Sequence, residues 1–201
     1  MMIVIVKGWG AMAGDVRTRM VEGAIVLLAQ RGLQGTSFSE VLELTGAPRG
    51  SVYHHFPGGK DQMITEAITL ATDRALALLD QKAGRPAVEV AEFFLDGWRT
   101  LLTKSDLRAG CSLLAVTVAT DSVDLREHAA KSFQRWRSGL AALLAQGGLS
   151  PKDAERYAAA LLAASEGAVV ITRAEQDMHP FELVTSVLID QIRAATTSSQ
   201  P

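Results

Sequence analysis

The sequence predicts an all-α chain: an N-terminal three-helix head joined by a long helix to a helical body. Three observations predict it. Apolar residues recur at three- and four-residue intervals through most of the chain. No strand-like alternation appears beyond the first residues. Glycine and proline clusters fall between the apolar stripes, where helices have to end.

The 201 residues suffice for a sizeable core, in one domain or two small ones. At 48% hydrophobic, 21% charged and 5% aromatic the chain is globular, not disordered. The formal net charge of −2 excludes a protein that coats nucleic acid with its whole surface, so any such contact has to be local. The single Cys111 excludes an internal disulfide and fits a reducing cytoplasm. The apolar run Ile3–Val6 is too short for a signal-peptide core or a membrane span. Residues 1–14 read as a loose tail added by an early start codon, with Met12 as the real start, or as an arm that touches DNA or a neighbouring subunit.

Asp15 can cap a first helix to about Arg31, with Met20, Val21, Ala24, Leu27 and Leu28 on one stripe. Gly32 and Gly35 stop it. Thr36 and Ser37 then precede a short helix, Ser39–Thr45, whose inward side is Val41, Leu42 and Leu44. Gly46 is expected to end it with a positive φ. Pro48 suits the first position of a third helix, Pro48–His55. Val52 and Phe56 dock that helix, and Arg49, Ser51, Tyr53, His54 and His55 remain outside. No acid lies between Glu43 and Asp61, whereas Arg49, His54, His55 and Lys60 do. Two helices joined by a tight glycine turn, the second with a polar, acid-free outer side, form a helix-turn-helix suited to a DNA major groove.

After Pro57–Gly58–Gly59, a helix from Lys60 to Lys82 would span roughly 30 Å, long enough to act as a lever between head and body. The body continues with helices over Ala87–Lys104, Gly110–Ala119 (apolar enough to be a buried central helix), about Ser122–Gln146, about Pro151–Arg173 and Pro180–Ala194. The expected organisation is a tail over 1–14, a helix-turn-helix domain over 15–60, a ligand-binding and dimerisation domain over 61–195 and a C-terminal tail over 196–201.

Arg17, Met20–Val21, Ala24, Leu27–Leu28, Gly32, Thr36, Val41, Gly46, Tyr53, Phe56 and Lys60 stand in the spacing of the TetR/AcrR family of one-component regulators, which the head resembles. Tyr53–His54–His55–Phe56 followed by Lys60 is the specific part. The extra residue in Pro57–Gly58–Gly59–Lys60, with Ala109–Gly110–Cys111 further on, resembles the subgroup of lincomycin-resistance repressors that control drug-efflux genes. The resemblance implies a homodimer on a palindromic operator, released by a small-molecule inducer. It implies phosphate contacts from Thr36, Ser37 and Lys60, base-edge contacts from Arg49 and Ser51, and backbone or base contacts from Tyr53 and His54. Gly50, being small, lets the helix approach DNA closely.

Other candidates are weighed against plainer roles. Arg49 can bond a guanine bidentately or simply be a solvated arginine. His54 and His55 are helix neighbours about 100° apart, and His128 and His179 have no ligand spacing, so no metal or other cofactor is expected. Cys111 reads as an inert core thiol. Phe94, Trp98, Cys111, Thr117, Trp136 and Glu166 are the pocket candidates, although aromatic residues at helix spacing more often fill core. Ala158, Leu161, Leu162, Ser165, Val169, Leu183, Val184, Val187 and Leu188 are the dimer-interface candidates, with intrachain core as the plainer reading. The functional expectation is a cytoplasmic, ligand-responsive DNA-binding regulator without enzymatic activity or membrane contact. The alternative is a helical small-molecule carrier or enzyme whose helix-turn-helix is only structural. The chain has no Gly-rich phosphate loop or nucleophile elbow to support an enzyme.

Overall fold

Helix α1 (Val16–Arg31) is the element around which the head packs. Asp15 caps it by accepting the Thr18 amide at 2.7 Å, and that bond holds the Asp15 carboxyl below its ordinary range. Met20, Val21 and the whole run from Gly23 to Ala29 are buried, because α2, α4 and α6 surround the helix. A Cβ at Gly23 would lie 2.5 Å from Thr45 Cγ2, so the absent side chain lets α2 cross closely.

The computed structural model describes residues 15–198; the tail or arm expected over 1–14 lies outside the described residues. The other helices are α2 (Phe38–Thr45), α3 (Ser51–His55), α4 (Gly59–Leu79), α5 (Ala87–Lys104), α6 (Ser112–Ala119), α7 (Val123–Gln146), α8 (Pro151–Glu175) and α9 (His179–Ser198). A 3₁₀ turn, Asp80–Lys82, extends α4 to the expected end of the lever. Ser37, Ser122 and Ser150 cap α2, α7 and α8 through their hydroxyls.

Two apolar clusters form the interior. One joins Met20, Leu28, Val41, Phe56, Met63 and Ile68 of the head and lever to Leu113, Val116 and Leu125. The other joins Phe94, Trp98, Trp136, Leu161, Phe181 and Ile192 of the body. The first crosses residue 60, so the head shares its core with the first turns of α4 and with α6 and α7. Cys111 packs against both clusters. In the body, the Trp98 and Trp136 rings meet edge to face at 6.5 Å. Arg99 forks Glu182 at 2.7 and 2.8 Å and ties α5 to α9.

Three local expectations are corrected. Pro48 does not open α3: residues 48–50 form a turn in which the Ser51 amide donates to the Pro48 carbonyl at 3.0 Å, and the helix begins at Ser51. Helix α6 is not a buried central helix. It packs through Leu113 and Val116 against α1, α4 and α7, while Val118 is 74% exposed; uniform apolarity shows no face, so the sequence could not reveal which side is covered. The C-terminal tail is shorter than expected, because Thr196 and Thr197 continue α9 and donate their hydroxyls to the Ile192 and Arg193 carbonyls at 3.2 and 2.8 Å.

Candidate nucleic-acid interface

Gly46 ends α2 with φ of 64°, the left-handed conformation expected there, and its amide donates to the Leu42 carbonyl. The chain turns sharply and presents α3 at the surface. Val52 and Phe56 are buried beneath it, and the Phe56 ring stacks at 6.2 Å from Phe38. Burying each of these side chains is worth about 1.5–3 kcal/mol, so one edge of this short helix is firmly seated. The opposite edge is open. Tyr53 is 80% exposed, and Arg49, Gly50 and His54 are exposed beside it. A Cβ at Gly50 would meet nothing within 4 Å, so the space in front of it is empty. Ser51 is half-buried and donates its hydroxyl to the Pro48 carbonyl at 2.6 Å. His55 is half-buried between His54 and Phe56, its ring centroid 5.0 and 6.5 Å from theirs.

At the rim, the Ser37 hydroxyl accepts the Glu40 amide at 3.2 Å and stays half-exposed. Lys60 Nζ donates to the Leu33 carbonyl at 2.9 Å, which leaves further ammonium donors for a phosphate. Thr36 is corrected. It is fully buried and donates its hydroxyl to the Gly32 carbonyl at 2.8 Å, so it braces the α1–α2 turn and does not face DNA. A threonine before a helix looks like a cap in sequence, but here Ser37 does the capping.

The body candidates divide as well. Phe94, Trp98 and Trp136 are buried in the main cluster, and Cys111 is partly covered. Thr117 is corrected: it is exposed on α6 with its hydroxyl given to the Leu113 carbonyl, outside any interior site. Glu166 does point inward. It is 8% exposed, its buried carboxylate has the Cys111 thiol as its polar neighbour, and burial pushes its pKa up to about 7. Burial also pushes the Cys111 thiol well up, with Glu166 the acid beside it. Trp98 Nε1, Trp136 Nε1, Thr172 Oγ1 and Thr185 Oγ1 are buried polar atoms without partners among the described residues. The two threonines gave no sequence signal, since threonine is ordinary in a helix. Among the described residues no three histidine, cysteine or acidic side chains gather as metal ligands.

The dimer candidates are half corrected. Ala158, Leu161, Ser165, Val169 and Leu188 are buried within the chain itself, so they cannot be a partner contact. Leu162 and Val184 are half-buried, whereas Leu183 and Val187 are 54% and 55% exposed. The open apolar surface of α8 lies on its other side, at Ala159, Ala163, Gly167, Val170 and Ile171. Its four-residue small spacing was visible in the sequence beside the larger stripe, and the larger stripe went inside.

A family model described as bacterial regulatory proteins, tetR family, matches residues 20–67, the head and the first turns of the lever. A second, the C-terminal domain of LmrA/YxaF-like transcriptional regulators, matches residues 87–187. The chain belongs to the TetR family. An HTH-type transcriptional regulator of Mycobacterium tuberculosis is 35% identical over 175 residues, covering 84% of this chain and 89% of that one. The HTH-type transcriptional regulator LmrA of Bacillus subtilis is 26% identical over 90% of this chain and 98% of its own. The fold agrees: a TetR transcriptional regulator from Legionella pneumophila superposes with a TM-score of 0.77 at 22% identity, covering 89% of this chain and 97% of that one. One from Chloroflexus aurantiacus gives 0.72 at 28% identity, covering 94% and 96%. This TetR-family chain is thus a helix-turn-helix DNA-binding transcriptional regulator.

Proposed function

We propose that this regulator is a homodimeric repressor of a palindromic operator, released when a small, largely apolar molecule enters the body. The observation that carries the DNA half is the seated helix α3, with Val52 and Phe56 beneath it and Tyr53, Arg49 and His54 open on the other side. In this reading Arg49 and Ser51 meet base edges across the gap left by Gly50, Tyr53 and His54 reach bases or backbone, and Ser37 and Lys60 hold phosphates. The reading domain is residues 15–60 and the effector and dimer domain is residues 61–195.

Two-fold pairing would use the outer stripe of α8, Ala159, Ala163, Gly167 and Ile171, with Leu183 and Val187 of α9. A Cβ at Gly167 would meet nothing within 4 Å, which leaves room for a partner helix to approach. The inducer would lie in the body, where the buried Glu166 carboxylate and the unpartnered indole N–H groups of Trp98 and Trp136 would find polar partners. Ligand would favour a conformer with α4 tilted, so the two α3 helices no longer match half-sites roughly 34–36 Å apart. A cytoplasmic, non-enzymatic role follows from the same reading.

The test is footprinting on DNA flanking the gene. The proposal expects one protected inverted repeat, with affinity falling as salt rises. Indifference to every fragment at low salt would rule the repressor out and leave the carrier reading.

A further inference from the structure

An open cleft of about 810 Å³ lies where head meets body, and none of the residues that line it belongs to α3 or is a candidate of the body pocket. The end of α1 contributes Gln30 and Arg31, the α5–α6 loop contributes Leu107 and Arg108, and the last turns of α8 contribute Val170 and Arg173. Among the described residues every charged side chain lining it is an arginine.

The three are not equally engaged. Arg31 pairs with Glu40. Arg108 gives only its Nε, to the Ser105 carbonyl at 3.2 Å, so its two terminal nitrogens have no protein partner among the described contacts. Arg173 is half-buried and, among the described residues, has no carboxylate partner and reaches only the Gln30 carbonyl, at a long 3.5 Å. Its guanidinium lies against Gly110, where a Cβ would come within 2.6 Å of Nη1. Burial alone moves its pKa, downward, as expected for a cation without a counter-charge.

The plain alternative is that these arginines offset the ends of α1 and α8. A helix C-terminus carries roughly half a negative charge. Two such ends together with Glu40 offset about two of the three cations, so a positive surplus remains. The apolar sides of the cleft, Leu107 and Val170, could not hold a hydrated metal or a bare cation. They suit a short hydrocarbon body.

We propose that this cleft is a second effector site, distinct from the body interior, for a small amphipathic anion whose carboxylate or phosphate is held by Arg173 and Arg108. Planar guanidinium forks bind such groups through paired, charge-assisted bonds. The site bridges α1 of the head and α8 of the body. The α5–α6 loop already latches α1 there, through the Gly110 amide on the Ala29 carbonyl at 2.8 Å. Occupancy would therefore stiffen or tilt the head. The proposal does not depend on an inducer in the body.

The test is calorimetric titration of the full chain with benzoate, inorganic phosphate, benzyl alcohol and benzylamine. Benzoate should bind with a Kd on the order of 1 mM or tighter, and the alcohol and amine at least about tenfold more weakly. Phosphate binding with the same arginine dependence would support an anion site with little need for the apolar wall. Arg108→Gln, an exposed change that leaves the core untouched, and Arg173→Gln should each weaken benzoate about tenfold. Equal binding of benzoate and benzyl alcohol would overturn the proposal. So would no binding of any probe, or unchanged benzoate binding in both variants. Loss of operator affinity in these variants with benzoate binding unchanged would assign the arginines to DNA and also overturn it.

Discussion

Lys60, in the first turn of α4, donates its ammonium hydrogen to the Leu33 carbonyl in the α1–α2 turn at 2.9 Å. The lever is thereby latched to the turn that positions α2, and a movement of one is passed to the other. The same lysine stands half-exposed at the rim of the α3 surface. Lys60→Met should cost about 1 kcal/mol of stability through the lost bond. It should also weaken operator binding about tenfold and lower the salt slope by about one. Urea unfolding and a salt series of binding isotherms check the two effects separately.

Phe56 is the other fixed point of α3. It is fully buried, stacks on Phe38, and has the Arg17 guanidinium 5.8 Å above its ring. Phe56→Ala should destabilise the chain by about 3–5 kcal/mol, since a cavity opens in a core that runs on into α4, α6 and α7. A loss below about 1 kcal/mol in equilibrium unfolding would mean that α3 is held by something else.

Glu166 makes stability depend on pH in an unusual direction. Its folded pKa of about 7 lies above the ordinary value of 4.5, so the folded state holds the proton more tightly than the unfolded state. Its contribution is complete below about pH 4.5 and is lost as pH rises towards 7, by about 3 kcal/mol at most. Glu166→Gln should flatten the stability curve over that window and raise stability at pH 8. Parallel curves for the two proteins in chemical unfolding would contradict this.

Pairing through the outer side of α8 and α9 makes a prediction about mass. Gly167→Arg or Val187→Asp should give a folded monomer by light scattering, because each places bulk or charge in a close helix contact. Ala158→Ser, on the buried side, should lower stability and leave the assembly intact. Unchanged assembly in Gly167→Arg and Val187→Asp would contradict pairing through this outer side.

Much of this was legible in the residues. The positive φ of Gly46, the seating of Val52 and Phe56, the cap at Asp15 and the length of the lever all follow from short-range chemistry. What failed depended on tertiary neighbours. Thr36 is as good a cap as Ser37 by type, and only the α1–α2 turn decides which hydroxyl turns inward. Helix α8 has two apolar sides, so periodicity alone could not tell Ala158 and Leu161, which meet the chain's own core, from Ala159 and Ala163, which do not. The arginines around Gln30 are far apart in sequence and came together only through the fold.

The central claim is that the open edge of α3 reads DNA. The direct measurement is operator affinity of the wild type, Arg49→Ala and Tyr53→Ala over a range of salt. Arg49→Ala should lose about 1–3 kcal/mol on the operator and less on a scrambled sequence. Tyr53→Ala should weaken both, with unfolding curves unchanged because its side chain is exposed. Wild-type affinity in both variants would contradict the account.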